Sequence, residues 1–464
     1  MPSSESPRRR TRSLLLLPPP PSPPTLAALK AAYAATLLTA LRELQRTSRS
    51  TPDAAAAVLE IALPCPHLYG RETAPRSLLY PRTQALVAGL YKLICVIAAA
   101  DAIDVEDADG VDARILLLAY PRDGNLTRVG ADGSPEADSQ GPVVDVATLA
   151  RCGRPWERVF AVETESGERL LKSFLGASSR AQNVQRLRGG ITQVFEADDG
   201  AAVSASASEP RKHYSVAVGG TFDHLHNGHK LLLTMTAFAV EAAAASPTTE
   251  QARSITIGIT GDALLQNKKY AEALESWAER QGATYDFLST ILDFSPNSTT
   301  TTEEIKNPGP NGHAVNVTLP ARLTLRHVEI WDPFGPTITD ESISALVLSG
   351  ETRAGGKAVD AKRREKGWPD LEVFEVDVLD ALDGGEGAGG KVNEGAGAGG
   401  RVTEGVVGGQ VNEEGAGVEG AVTLAAASVT PTATAPTPVD QSFHAKLSST
   451  EIRRLQLEKR ARRG

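Results

Sequence analysis

Cysteine is scarce in this chain of 464 residues, and its three cysteines, Cys65, Cys95 and Cys152, lie far apart. An odd number of widely spaced thiols indicates neither a disulfide framework nor a zinc site. No apolar run approaches a membrane span, and residues 14–17 are too short an apolar run for the core of a signal peptide. These absences predict a cytoplasmic protein that does not act at a membrane.

Basic residues are outnumbered by acidic ones, 48 against 57, which gives a formal net charge of -9. General binding to nucleic acid needs a basic surface instead. The basic runs at residues 8–12 and 453–463 are short, and we expect them to be solvated. Nucleic acid is therefore not an expected partner.

One segment, GGTFDHLHNGH at residues 219–229, lies between a strand-like apolar run (214–218) and a helical one (230–245). Glycines let the backbone turn tightly and let a phosphate come close, and the free N–H groups and positive dipole end of the following helix favour an anion there. His226 and His229 are three residues apart, so both imidazoles are expected on one side of the helix start. The segment predicts a phosphate-binding βα unit.

Zinc is a less favoured interpretation of the two histidines. The spacing HxxH lacks the glutamate of HExxH, and no cysteine lies nearby to complete a ligand set. Two surface histidines on a helix cap are also disfavoured, because the glycines and the flanking periodicity accompany them. We therefore predict no protein-held metal.

Apolar runs alternate with helical stretches along the rest of this half. The strands are predicted at residues 254–259, 323–331, 345–348 and 371–379, and the helices at 271–294, 357–366 and the C-terminus. This alternation is typical of an α/β fold with a doubly wound parallel sheet, whose ligand crevice lies at the carboxyl ends of the strands. We assign residues 211–464 to this domain, interrupted by a polar insertion at 295–318 and a disordered Gly-rich insertion at 384–440.

The Gly-rich insertion contains two deceptive patterns. GEGAGGKV at residues 385–392 resembles a Walker A motif without its final Ser or Thr, and GAGAGG at 395–400 resembles a dinucleotide fingerprint. Neither is predicted to lie between a strand and a helix, so neither indicates a nucleotide site. The insertion has no aromatic residue and cannot bury enough apolar surface to fold.

The N-terminal half is expected to comprise a basic, Pro-rich, disordered tail (1–24) and a smaller α/β domain of unknown role (25–200). Its helices are predicted at residues 25–45 and 81–98, and its strands at 57–63, 113–120, 158–163 and 168–174. No catalytic constellation is visible there. Whether this half regulates the protein or forms a homo-oligomer is left open.

The segment at 219–229 resembles the HxGH signature of the nucleotidyltransferase superfamily. Cytidylyltransferases add a second motif similar to RTxGISTT, which this chain lacks, whereas phosphopantetheine adenylyltransferases carry a Ser-rich motif similar to HAKLSSTEIRRL at residues 444–455. Three further segments resemble the eukaryotic, fungal-like adenylyltransferases: TGDALLQNKKY (260–270), WDPFGPT (331–337) and LVLSGETRAGGKAVDAKRREKG (346–367).

This resemblance implies transfer of the adenylyl group of ATP to 4′-phosphopantetheine, which gives dephospho-coenzyme A and pyrophosphate, with Mg²⁺ accompanying ATP. Animal relatives add a kinase domain with a true P-loop. Because none is visible in this sequence, we expect a monofunctional enzyme with a separate dephospho-coenzyme A kinase downstream. The alternatives are a cytidylyltransferase of lipid-precursor synthesis and a nucleotide-binding regulator without catalysis.

The resemblance also assigns roles to residues. His229 would stabilise the transition state, His226 would contact the nucleotide phosphates, and Lys268 would reach the substrate phosphate. The implied ATP contacts are Gly220, Thr221, Phe222, His226, His229, Gly350, Glu351, Thr352, Ser448, Ser449, Thr450 and Arg453. The implied substrate contacts are Thr221, Lys268, Lys269, Asp332, Phe334 and Ser349.

Two of these assignments have local explanations in the sequence. Ser448 and Glu451 fit a capping box that opens the C-terminal helix, so the hydroxyls and free N–H groups around residues 448–450 predict a second phosphate cradle. Asp332 follows its strand in a turn-rich segment, where its carboxylate either binds substrate or caps the turn. The loop SGET differs from the bacterial members, which have arginines there.

Overall fold

The computed structural model describes residues 10–50, 57–106, 110–126, 140–194, 210–242, 252–297, 299–306, 309–320, 322–379 and 449–463. All of them belong to one compact unit, which comprises residues 1–381 and 444–464. Two sheets are formed within it. The Gly-rich insertion at 384–440 and its two deceptive patterns lie outside the described residues.

The first sheet is entirely parallel. Its strands are β1 (Arg12–Leu16), β2 (Ala57–Pro64), β3 (Val111–Leu118), β4 (Val143–Val144), β5 (Arg158–Glu163) and β6 (Val184–Arg188), and the helices between them are α1 (Leu26–Ser50), α2 (Arg76–Ala100), α3 (Val146–Arg151) and α4 (Glu165–Ala177). The strand order is β4-β3-β2-β1-β5-β6. The chain therefore builds outward from β1 in one direction and then returns to its other side, as in a doubly wound sheet.

Two predictions for this half are wrong. Residues 12–24 are not a disordered tail: β1 is a central strand paired with both β2 and β5, and Leu14, Leu15 and Leu16 are buried there. Four leucines beside a proline run carry too little periodicity to indicate a strand. Residues 168–174 form part of α4 rather than a strand, because Thr164 caps this helix by accepting a hydrogen bond from the Gly167 N–H.

The second sheet confirms the doubly wound α/β prediction. Its strands are β7 (Ser215–Gly220), β8 (Arg253–Thr260), β9 (Thr301–Ile305), β10 (Ala314–Thr318), β11 (Leu323–Ile330), β12 (Ala345–Ser349) and β13 (Glu372–Val376), and its helices are α5 (Asn227–Ala239), α6 (Trp277–Leu292), α7 (Arg353–Glu365) and α8 (Ser449–Arg463). The order is β13-β12-β7-β8-β11-β10-β9. The first five are parallel, and the order reverses at β7, so the crevice is expected where β7 and β12 end.

The polar insertion at 295–318 is more ordered than a surface loop. It contains β9 and β10, which pair antiparallel with each other and extend the sheet beyond β11. Apolar and polar residues alternate only weakly along these strands, because β9 is exposed over most of its length. The sequence pattern alone therefore did not separate this hairpin from an irregular insertion.

The expectation that no apolar run approaches the length of a membrane span is wrong for helix α2. By length and composition alone this helix could cross a membrane, yet 61% of its most apolar window is buried inside the protein. It packs against α1 of the first sheet and α5 of the second. Its apolar character follows from this position between two layers.

Candidate active site

The loop after β7 brings the two predicted histidines together at the start of α5. His226 is the N-cap of this helix, and its Nδ1 accepts a hydrogen bond from the Gly228 N–H at 3.2 Å. The imidazoles of His226 and His229 stack with ring centroids 3.9 Å apart and planes inclined by 20°. A Cβ on Gly228 would lie only 3.1 Å from the His226 ring, so a glycine leaves room for this cap. The two rings form one face beside the free N–H groups of the helix.

Both imidazoles are neutral near pH 7. Burial lowers the pKa of His229 to about 4. Burial, with repulsion between a protonated His226 and its basic neighbours His229 and Lys230, lowers the pKa of His226 well below its usual range. A neutral imidazole has one donor and one acceptor nitrogen. Because Nδ1 of His226 accepts from Gly228, its Nε2 carries the proton and can donate to an anion.

The loop backbone between β7 and α5 is strained at two residues. Phe222 and His224 have positive φ angles of 52° and 47°, which non-glycine residues adopt at a cost. Glu275 stabilises this shape from both sides: its carboxylate accepts from the His224 N–H at 2.8 Å, and its own N–H donates to Asp223 at 2.9 Å. The Phe222 side chain is fully buried with its ring 5.4 Å from that of His229, so it supports the histidine from within the protein.

The C-terminal helix α8 is attached directly to this loop. A buried ion pair joins Nη1 of Arg453 to Oδ2 of Asp223 at 2.5 Å, and the Ser449 hydroxyl donates to the Asp223 carbonyl at 2.8 Å. Arg453 also donates to the Lys269 carbonyl at 3.1 Å and to the Thr450 hydroxyl at 3.2 Å. The amino ends of α5 and α8 therefore lie beside one loop. Ser448, the predicted N-cap of α8, lies outside the described residues.

Arg280 of α6 holds the carboxyl ends of β7 and β8 together. Its fully buried guanidinium donates to the carbonyls of Thr221 at 2.7 Å and Thr260 at 2.8 Å, and to Oδ1 of Asp262 at 2.6 Å. The Thr260 hydroxyl in turn donates to the Gly220 carbonyl at 3.3 Å. Two predicted nucleotide contacts, Gly220 and Thr221, are thus anchored through their backbones, and the partly exposed Thr221 side chain remains at the crevice.

The predicted substrate contacts lie at the carboxyl ends of β8 and β11. Lys268 and Lys269 are exposed in the loop after β8, while Asp332 follows β11. Oδ1 of Asp332 accepts hydrogen bonds from the backbone N–H groups of Phe334 at 2.7 Å and Gly335 at 2.8 Å. Asp332 therefore caps this turn through one of its two carboxylate oxygens.

The SGET loop follows β12 on the other side of β7. The hydroxyl of Thr352 donates to the Ser349 carbonyl at 3.1 Å and lies 3.4 Å from the Ser349 hydroxyl. Gly350 and Glu351 complete this short turn, and Glu351 is exposed. The loop therefore borders the point where the strand order reverses, which is the position expected for a ligand-contacting loop.

One group of potential metal ligands lies under the site. The ligand atoms of Asp223, His224 and Glu275 are within 4.8 Å of one another. Most of these atoms already have protein partners: both Asp223 oxygens accept hydrogen bonds, and Nε2 of His224 lies 2.8 Å from the Ala273 carbonyl. The cluster is a hydrogen-bond network that shapes the loop, and it does not fit a resident Mg²⁺, which would require free oxygen ligands.

Several residues of the site carried no signal in the sequence. Asp223 and Arg280 build the loop through contacts made only after folding, with partners up to 230 positions away. Asn227 at the start of α5 is completely buried and donates to the Cys95 sulfur of α2 at 3.4 Å. Lys230, the next residue after the histidines, contacts the first sheet through Asp112 of β3.

Comparison with known proteins gives one family model and several curated relatives. Residues 1–193 match a family model described as a domain of unknown function (DUF8446). An uncharacterized protein of Schizosaccharomyces pombe is 36% identical over 164 residues, which cover 35% of this chain and 39% of that protein. The phosphopantetheine adenylyltransferase of Saccharomyces cerevisiae is 32% identical over 171 residues, which cover 37% of this chain and 43% of that protein.

The match covers a larger share of an archaeal relative than of the two fungal ones. The phosphopantetheine adenylyltransferase of Thermococcus kodakarensis is 30% identical over 169 residues, which cover 36% of this chain and 78% of that protein. With the two fungal relatives the match spans only about two fifths of their own length.

Proposed function

Because the chain belongs to the phosphopantetheine adenylyltransferase family, we propose that it transfers the adenylyl group of ATP to 4′-phosphopantetheine. The products are dephospho-coenzyme A and pyrophosphate. Mg²⁺ enters with ATP as part of the substrate, since both carboxylate oxygens of Asp223 beneath the site are engaged in hydrogen bonds.

The observation that carries this proposal is the meeting of two helix starts at one loop. The amino ends of α5 and α8 are joined by the Asp223–Arg453 pair and by the hydrogen bond from the Ser449 hydroxyl to the Asp223 carbonyl. Each helix start presents free N–H groups and the positive end of a helix dipole. The three phosphates of ATP carry enough negative charge to occupy both helix starts. A single phosphate would need only one of them.

The reaction asks for positioning and charge stabilisation rather than covalent catalysis. A phosphate oxygen of phosphopantetheine forms a bond to the α-phosphorus of ATP while the bond from that phosphorus to the oxygen bridging to the β-phosphate breaks, and pyrophosphate leaves with the bond electrons. Negative charge on the α-phosphate oxygens is stabilised by donors that are already fixed in place. His229 supplies such a donor, and stacking on His226 together with packing against Phe222 limits its movement.

The remaining residues divide between the two substrates. We assign Ser449 and Thr450, with the free N–H groups of α8, to the β- and γ-phosphates, and Arg453 to holding this helix start in place. Lys268 reaches the phosphate of the acceptor from its exposed loop. Asp332 contributes by shaping the turn before Phe334, since Oδ1 of its carboxylate is occupied by backbone N–H groups.

The proposed enzyme performs adenylyl transfer alone, with phosphorylation of dephospho-coenzyme A left to a separate kinase. Support for this part comes from the sequence, in which the one pattern similar to a Walker A motif lacks the final Ser or Thr.

The decisive test is a paired assay of the purified full chain with 4′-phosphopantetheine and either ATP or CTP. Pyrophosphate release and mass spectrometry of the nucleotide product should show dephospho-coenzyme A with ATP and at least about 100-fold less product with CTP, the discrimination expected of a site that hydrogen-bonds the base. Turnover of CTP with another acceptor would overturn the proposal. Nucleotide binding without turnover of either nucleotide would indicate a regulator.

A further inference from the structure

The start of α5 is held from two directions. His226 and His229 stack on one face of its first turn, whereas Asn227 and Lys230, also three residues apart, share the neighbouring face. That second face contacts the first sheet and its helix α2: Asn227 donates to the Cys95 sulfur at 3.4 Å, and the Lys230 ammonium lies 2.7 Å from Oδ1 of Asp112. The contacts therefore come from the half of the chain to which no function is assigned.

The Lys230–Asp112 ion pair is shielded from solvent. The Lys230 side chain is 4% exposed and that of Asp112 17%. Asp112 also accepts two hydrogen bonds from Arg114. The Arg114 guanidinium in turn forms an ion pair with Asp286 of α6 at 2.6 Å. Although burial favours the neutral carboxyl, Lys230 and Arg114 keep the pKa of Asp112 far below its usual range. The pair is thus a charged contact in a continuous network between the two sheets.

We propose that Asp112, acting through Lys230, is a positioning residue of the adenylyltransferase site, and that the first sheet serves as the support that orients His226 and His229. The inference rests on the proposed function. Lys230 directly follows His229, and its N–H donates to the His226 carbonyl at 3.0 Å. We therefore expect loss of the Asp112 charge to disturb the helical turn that carries both imidazoles.

Asp112→Asn should leave Lys230 buried beside a neutral amide, so the ammonium must move to find a partner. A displacement near 1 Å at a catalytic group costs on the order of 100-fold in turnover, and we expect that loss in kcat. The Kd of ATP should change by less than about threefold, because the cradle at α8 is untouched.

A matched control separates positioning from stability. Glu60 of β2 is a fully buried carboxylate of the same sheet, paired with Arg12 and Arg154, and its described contacts do not include residues 226–230. Glu60→Gln makes the same carboxylate-to-amide change and should lower the melting temperature at least as much as Asp112→Asn, yet keep kcat within about threefold of the wild type. Equal loss of kcat in the two variants at matched folded fraction would overturn the proposal.

A double-mutant cycle tests the route through Lys230. If Asp112 acts only through Lys230, the kcat of Asp112→Asn/Lys230→Met should be no lower than the kcat of the less active single variant. Losses that multiply across the two substitutions would contradict the inference.

A second readout does not depend on turnover. Amide hydrogen exchange at residues 226–231 should be faster in Asp112→Asn than in the wild type, and unchanged in Glu60→Gln. If the wild type fails to adenylylate phosphopantetheine, the proposed function fails, and the exchange comparison still decides whether the first sheet orients this helix start. Unaltered exchange in Asp112→Asn would overturn the inference about the first sheet and leave the proposed function untouched.

Discussion

Arg453 and Asp223 form a buried ion pair across 230 positions of sequence, with side chains that are 3% and 0% exposed. Asp223 belongs to the loop that carries His226 and His229, and Arg453 belongs to the helix that carries Ser449 and Thr450. The pair thus joins the two regions to which phosphate binding is assigned. Its partners also include the Lys269 carbonyl in the loop after β8.

Arg453→Ala should therefore damage both stability and ATP binding. Removing the guanidinium leaves Asp223 as an uncompensated buried charge, at a cost of about 3–5 kcal/mol of unfolding free energy. Urea unfolding should show this loss, and the KM of ATP should rise because α8 is released from the loop. The matched control is Arg454→Ala, which removes a partly exposed arginine paired with Glu451 and Glu458 on the same helix and should leave both measurements close to the wild type. Equal effects of the two substitutions would contradict the assignment.

His229→Ala should separate catalysis from binding. Loss of one preorganised donor at the developing charge typically costs 10²–10³-fold in kcat, about 3–4 kcal/mol, and we expect that range here. ATP affinity, measured by calorimetry, should be retained because the α8 cradle remains. His229→Gln places an amide donor near the same position and should lose less. A parallel fall in ATP affinity and kcat/KM would assign His229 to ground-state binding instead.

The predictability of the site from sequence differed between local and distant contacts. The turn at Asp332 arises within a few residues, and the turn-rich segment indicated it as one of two alternatives. The cap at His226 is equally local, yet it was not predicted, because histidine is not among the preferred N-cap residues. Arg453 was predicted as an ATP contact because its pattern resembles the family motif. Its pairing with Asp223 depends on how α8 returns to β7 after a long insertion, and no local pattern encodes that return.

The fold shows the same division. The five parallel strands of the second sheet alternate with helices and were predicted within a few residues, whereas β9 and β10 lie in the segment predicted as a polar insertion. In the first sheet, by contrast, β1 is a short leucine run before buried prolines, and its place between β2 and β5 comes from pairing over more than 40 residues of sequence. The contact between Lys230 and Asp112 could not be predicted either, because these residues are also far apart in the sequence.

The two adjacent lysines after β8 can be assigned by a comparison of single variants. Lys268→Ala should raise the KM of phosphopantetheine about tenfold, which corresponds to one charge-assisted contact to its phosphate, with little change for ATP. Lys269→Ala should change either KM by less than about twofold, because the described role of Lys269 is its backbone carbonyl, which accepts from Arg453. The reverse order would transfer the substrate contact to Lys269.

The acid sensitivity of the fold should depend in part on His327 of β11. Its side chain is completely buried, and burial lowers its pKa to about 4. In the unfolded chain a histidine has a pKa near 6.5, so between pH 6.5 and 4 the unfolded state binds more protons and unfolding becomes easier as the pH falls. This single group should cost about 2 kcal/mol of stability between pH 7 and pH 5. His327→Leu removes the titrating ring, so urea unfolding at both pH values should show a pH-dependent loss smaller by about that amount. An identical loss in variant and wild type would mean that the ring is accessible to protons in the folded state.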